Sequence, residues 1–144
     1  MIDLRDASAP VEAVIRALDL QRHPEGGYYR ETWRDAPADG SRGVGTSILF
    51  LLRAGELSHW HRVDAAELWL WQAGAPLLLR IGALEQFSLG PDVTMGERLQ
   101  CLVPRDSWQS ALSLGGWTLC SCIVTPAFSF AGFELAPPDW QPDQ

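Results

Sequence analysis

Lysine is absent from these 144 residues, so the positive charge rests on arginine alone, 11 residues against 18 Asp and Glu, for a net charge of −7. The arginines are scattered and form no basic stripe, which excludes a nucleic-acid partner. An apolar run long enough to cross a bilayer is also missing. The opening MIDLRDASAP lacks the basic region and apolar core of a signal peptide. Cysteine is scarce: Cys101, Cys120 and Cys122 cannot all pair within one chain. These absences predict a protein of the reducing cytoplasm, with no membrane partner. Cys120 and Cys122 stand two apart on an apolar run, so they share one strand face and read as small buried apolar residues.

Helical periodicity is nearly absent too. It occurs once, where Val11, Val14, Ile15 and Leu18 recur at helical spacing. Ser8 is placed to cap this helix, Pro10 suits its first turn, Glu12 suits its positive end, and it should stop near Leu20. Beyond the His-Pro-Glu-Gly-Gly break, short runs of aromatic and branched residues follow one another between Gly, Pro, Asp and Ser. With no helical stretches between them, a parallel sheet is excluded, and the pattern predicts an all-β sandwich or barrel behind an N-terminal α-helix. There is no repeat, low-complexity tract or linker to divide the chain. The expected plan is one domain, with the helix in residues 1–22, a barrel over 23–136 and a polar, proline-rich surface tail over 137–144.

Tryptophan is plentiful, with seven residues, and can fill a core or line a pocket. The stretch SHWHRVDAAELWLW (58–71) concentrates chemistry. Two residues apart on a strand, about 6.6 Å, His59 and His61 can aim their rings at one point. A hairpin centred on Asp64 sets His61 opposite Glu67 and His59 opposite Trp69, on one face. Two imidazoles and a carboxylate suit iron, manganese, nickel or zinc, and Trp69 and Trp71 would form a wall beside them. A polar patch inside a barrel is the other reading of the same residues.

Further pocket candidates follow from alternation in YYRETW, where Tyr29, Glu31 and Trp33 share a face. A buried Glu31 among aromatic residues could act as acid or base; the competing reading is a simple pair with an arginine. Phe128 and Phe130 are candidates for the barrel interior. His23 reads as a residue that shapes its turn, outside the site. The glycine-rich run 40–45 precedes a strand-like segment rather than a helix, so it is a turn and not a phosphate loop.

The pattern Gly55-x3-His59-x-His61-x5-Glu67-x6-Gly74 resembles the first motif of the cupin superfamily. In the second motif Pro104 matches, Asp106 replaces the usual glycine, and Gln109 stands where a histidine is usual. HPEGGYYRETW (23–33), TSILFLL (46–52), HRVDAAELW (61–69), the VP and WQ of 103–109, and CIVTPAFSFAGFEL (122–135) together resemble the Cupin_5 (DUF985) group over nearly the whole chain. That resemblance implies a double-stranded β-helix barrel (a jelly roll), often paired as a homodimer, with a small-molecule pocket at one barrel mouth. Leu70 stands where members of the group often carry a histidine after the tryptophan of the E-x-W block.

Three functions follow from the resemblance. In a metal-dependent enzyme, His59, His61, Glu67 and the weaker amide oxygen of Gln109 hold the ion while Trp69 and Trp71 grip the substrate. In a metal-free epimerase or isomerase similar to those acting on sugar nucleotides, His61 is the base and Tyr29 the acid. The third is a non-catalytic metabolite-binding protein.

Overall fold

The short aromatic and branched runs form eleven strands in the computed structural model, which describes residues 1–143. Gln144, the last residue of the expected tail, lies outside the described residues. In chain order the first six are β1 (Gln21–Arg22), β2 (Tyr28–Arg34), β3 (Thr46–Arg53), β4 (Leu57–Val63), β5 (Ala66–Gly74) and β6 (Leu77–Ile81). Then follow β7 (Glu85–Leu89), β8 (Gln100–Val103), β9 (Gln109–Ser113), β10 (Trp117–Thr125) and β11 (Phe133–Leu135). They build two sheets, ordered β1-β2-β3-β10-β5-β8 and β11-β4-β9-β6-β7. Every strand pairing within both sheets is antiparallel.

The one α-helix among the described residues, α1 (Val11–Ala17), is shorter than its periodicity suggests. Ser8 does not cap it. Its hydroxyl donates to Asp6 instead, at 2.6 Å, and Pro10 occupies the cap position without a side-chain bond. The chain leaves the helix before Leu20 because Asp19 adopts a left-handed backbone, φ 52°.

Three apolar clusters organise the interior, the smallest formed by Val63, Ala65 and Val124. Phe50, Leu52, Trp69, Leu77, Leu79 and Leu89, with Cys120 and Cys122, pack between the sheets. A second cluster seals α1 and its flanks against the outer face of the first sheet, joining Val14, Ile15 and Leu20 to Leu51, Leu119 and Trp117. The Trp117 indole N–H donates to the Ala9 carbonyl at 2.9 Å, which fixes the helix approach. Cys101, Cys120 and Cys122 are all buried and unpaired.

One expectation about local topology is overturned. Residues 58–71 do not form a hairpin: β4 pairs with β9 and β11, whereas β5 pairs with β10 and β8. The chain crosses from one sheet to the other at Asp64–Ala65. His61 and Glu67 therefore approach across the space between sheets, not along a ladder.

Residues 137–143 lie on the outer surface. Trp140 packs on Trp108, ring centroids 4.5 Å apart, with Trp60 at 6.4 Å. Among the described residues, no helix is long and apolar enough to cross a membrane.

Candidate functional site

Alternation along β4 is interrupted. Leu57 and Ser58 pair with Leu112 and Ala111, but the next partners are His61 and Gln109. Two residues, His59 and Trp60, thus oppose the single Ser110, which is a β-bulge. The extra residue turns both Ser58 and His61 inward, at 0 % and 2 % exposure. His59 is rotated out of their set, and its Nε2 donates to the carbonyl of Pro137 at 2.8 Å.

Ser58 and His61 converge on Glu25. The Ser58 hydroxyl donates to Oε1 at 3.0 Å, and His61 Nε2 lies 3.0 Å from Oε2. Glu25 arrives on the turn between β1 and β2. Gly26 and Gly27 there adopt φ of 104° and 84°, a backbone open to glycine. The turn is pinned to β4 by the His59 N–H, which donates to the Glu25 carbonyl at 2.9 Å. A side chain on Gly26 would overlap the Leu57 carbonyl oxygen.

Protonation follows from these partners. His61 Nδ1 is 2.7 Å from the carbonyl of His59, an acceptor only, so Nδ1 carries a proton. Burial lowers the His61 pKa, but the Glu25 charge and hydrogen bond, the Glu67 charge and the His59 carbonyl together raise it to about 9. Burial opposes ionisation of Glu25 as well, yet His61, His23 and Ser58 hold its pKa below the usual value. The pair is an imidazolium bonded to a carboxylate. His23 behaves differently: burial lowers its pKa, and its Nδ1 accepts the Glu25 backbone N–H at 3.1 Å. It is a neutral ring with its proton on Nε2.

Glu67 faces this pair from β5. Burial raises its pKa to about 7, reinforced by the Glu25 charge and opposed by His61 and by hydrogen bonds from Gln109 and Cys122. Gln109 Nε2 donates to Glu67 Oε1 at 2.8 Å, and Gln109 Oε1 accepts the Trp69 indole N–H at 2.8 Å. A chain of two bonds therefore sets the orientation of Glu67 from the packed core. The Cys122 thiol beside it is pushed well above its usual pKa by burial and by the Glu67 charge, which unsuits it as a nucleophile.

His23, Glu25, His61, Glu67 and Cys122 line one cavity with Tyr29, Glu31, Arg34, Ile48, Phe128, Phe130 and Phe133. The cavity is small, about 60 Å³ in volume. Of the residues nominated from sequence, His61, Glu67, Tyr29, Glu31, Phe128 and Phe130 come together here. Trp69 does not reach the cavity, being 1 % exposed in the core. Trp71 donates its indole N–H to the Ala75 carbonyl at 3.0 Å and does not line the cavity. Trp33 is 48 % exposed and likewise outside. Glu31 is not buried among aromatic rings: it bridges Arg34 at the mouth, with both side chains over a third exposed.

The four nominated metal donors do not form a ligand set. His59 faces the tail, His61 Nε2 lies against the Glu25 carboxylate, and Gln109 spends its oxygen on Trp69. Among the described residues, no three His, Cys, Asp or Glu side chains are grouped to hold a metal ion. Sequence reasoning missed Glu25 and set His23 aside. The available signal was two ionisable side chains within one glycine-rich break leading into an inward-facing strand.

The Cupin_5 model of the cupin superfamily (DUF985) matches residues 12–136. The chain belongs to that family. A Cupin_5 chain of this kind has solved relatives: a Shewanella oneidensis protein is 41 % identical, with a TM-score of 0.82, covering 87 % of this chain and 83 % of its own. A hypothetical protein from Leishmania major is 32 % identical, with a TM-score of 0.78, covering 87 % of this chain and 86 % of its own. At 18 % identity, a mutant form of Bacillus subtilis oxalate decarboxylase shares the fold, with a TM-score of 0.62 over 81 % of this chain and 30 % of its own. No curated protein matches. The two sheets are thus the two halves of a cupin double-stranded β-helix, and the cavity lies between them.

Proposed function

We propose that this Cupin_5 protein is a metal-free acid–base catalyst, moving a proton at a carbon beside a carbonyl group in a small organic molecule. By class it is an isomerase or epimerase. The observation that carries this reading is Glu67: a cavity-facing carboxyl whose pKa of about 7 lies near neutral pH, next to an imidazolium paired with Glu25. A base is most effective when its pKa is near the working pH.

In this reading Glu67 is the base, and His61 is not. The C–H bond breaks, its proton passes to Glu67, and the electron pair moves onto the carbonyl oxygen. The Tyr29 hydroxyl donates to that oxygen. His61, held charged by Glu25, supplies a fixed positive field in a poorly hydrated space, where such charge counts for most. As the carbonyl re-forms, the enol oxygen gives up its bonding to Tyr29 and Glu67 returns the proton to the same carbon; return to the face opposite the one it left gives the epimer.

Proton NMR in deuterium oxide tests this. The protein should accelerate exchange at the carbon beside the carbonyl of small ketones, and Glu67→Gln should abolish the acceleration. The rate should rise with pH through about 7 and fall through about 9, as Glu67 and then His61 lose their protons. Unchanged exchange in Glu67→Gln, or none across a broad ketone panel, sinks the reading.

A further inference from the structure

Each cation lining the cavity is matched by a carboxylate. His61 is neutralised by Glu25 at 3.0 Å. Arg34, at the mouth, is gripped by Glu31 through two bonds: Nε to Oε1 at 2.8 Å and Nη2 to Oε2 at 3.0 Å. Its Nη1 donates to the Phe128 carbonyl at 2.9 Å. All three guanidinium nitrogens are engaged. Among the described residues, Glu67 is the one lining carboxyl left without a cation of its own. The remaining wall is mainly apolar, with Tyr29, Ile48, Phe128, Phe130 and Phe133 prominent.

An anion entering this space would shed water and meet no unmatched cation among the described lining residues. It would also face Glu67 whenever that group is ionised. Loss of hydration without a partner is costly for any charged group. An uncharged molecule loses little and gains contact with the aromatic rings. We infer that the cavity selects small, uncharged carbonyl compounds against carboxylates and phosphate esters, and that Glu31 is the residue that sets this selectivity. Glu31 acts by neutralising Arg34, which would otherwise be a forked anion receptor at the mouth. The substrate class rests on the reading of this cavity as the reaction site. The charge filter does not depend on turnover, so it is tested separately.

The probes are 2-butanone and 2-oxobutanoate, which differ by a methyl or a carboxylate on the carbonyl carbon. Binding to the Glu67→Gln protein is followed by ligand line broadening in NMR, without reaction. Binding of 2-butanone should exceed that of 2-oxobutanoate by about tenfold or more. Glu31→Gln, introduced alongside, should admit 2-oxobutanoate and narrow the gap, and molar salt should restore it by screening Arg34. Equal or tighter binding of 2-oxobutanoate before Glu31 is changed overturns the inference. So does a gap that Glu31→Gln leaves unmoved. Exchange in the unaltered protein then separates the two claims: a filter without exchange removes the proposed reaction, and exchange favouring 2-oxobutanoate removes the filter.

Discussion

His61 bonds at both ring nitrogens, Nδ1 to the carbonyl of His59 at 2.7 Å and Nε2 to the Glu25 carboxylate at 3.0 Å. Two acceptors on one buried ring fix it as an imidazolium. The β-bulge at His59–Trp60 is the cause, because the same extra residue that turns His61 inward leaves the His59 carbonyl beside its ring.

Removing the carboxylate should therefore invert the His61 pKa. In Glu25→Gln the main attraction is gone while burial remains, so the midpoint should fall from about 9 to below the ordinary 6.5. The chain has three histidines, so ring-proton NMR titration can follow each one. A midpoint still near 9 would show that Glu25 does not hold the proton.

Stability should fall as pH rises from about 4.5 to about 9. Glu67 is raised from 4.5 to about 7, so it favours the folded state fully below 4.5, and that contribution is lost as pH rises through 7. His61 is raised from 6.5 to about 9, so its contribution is complete below 6.5 and lost through 9. Each is on the order of 3 kcal/mol by its shift. Glu25 is lowered, so its contribution is present above 4.5 and lost in stronger acid. Urea unfolding across this range should place the maximum near pH 5, and the alkaline decline should flatten in a His61→Gln, Glu67→Gln double variant.

Gln109 positions Glu67 and tunes it. Gln109→Met keeps the volume but removes a hydrogen bond that lowers the Glu67 pKa, so the acid limb of the exchange–pH profile should move above 7. The variant also leaves the Trp69 N–H unpaired, at a cost of about 1–3 kcal/mol in stability. A destabilised protein with an unmoved acid limb would mean that Gln109 is structural only.

Chelation should leave exchange unchanged, because His59, Gln109 and His61 are each turned to other partners and do not converge with Glu67. Extended dialysis against a strong chelator, with metal content followed, checks this. Loss of exchange that iron, manganese, nickel or zinc restores would contradict the metal-free reading.

Gly26→Ala should cost about 1–3 kcal/mol, since φ of 104° is strained for any side chain. The added methyl also meets the Leu57 carbonyl, so Glu25 should be displaced. The expected signature is a lowered His61 midpoint together with the lost stability. Loss of stability alone would separate the turn from the site.

Local composition and period are enough to specify the all-β class, the single helix, the lack of a basic stripe and the family-like blocks. They also put His61, Glu67 and Tyr29 among the candidates, since polar groups on strand-like runs stand out against an apolar background. They do not reveal the bulge, because one extra residue in a ladder leaves no trace in alternation until the partner strand is known. His59 falls outside the site for that reason alone, whereas Trp69 and Trp71 share the inward face of Glu67 and pack into the core beyond the cavity. Glu25 is invisible for a related reason: its turn looks like a surface break until β4 is laid beside it. The pairing of Glu31 with Arg34 is local, three residues apart on β2, and the sequence already offers it. The pairing of His61 is a tertiary property: whether that ring is a ligand or an imidazolium depends on the Glu25 carboxylate that the fold brings to 3.0 Å.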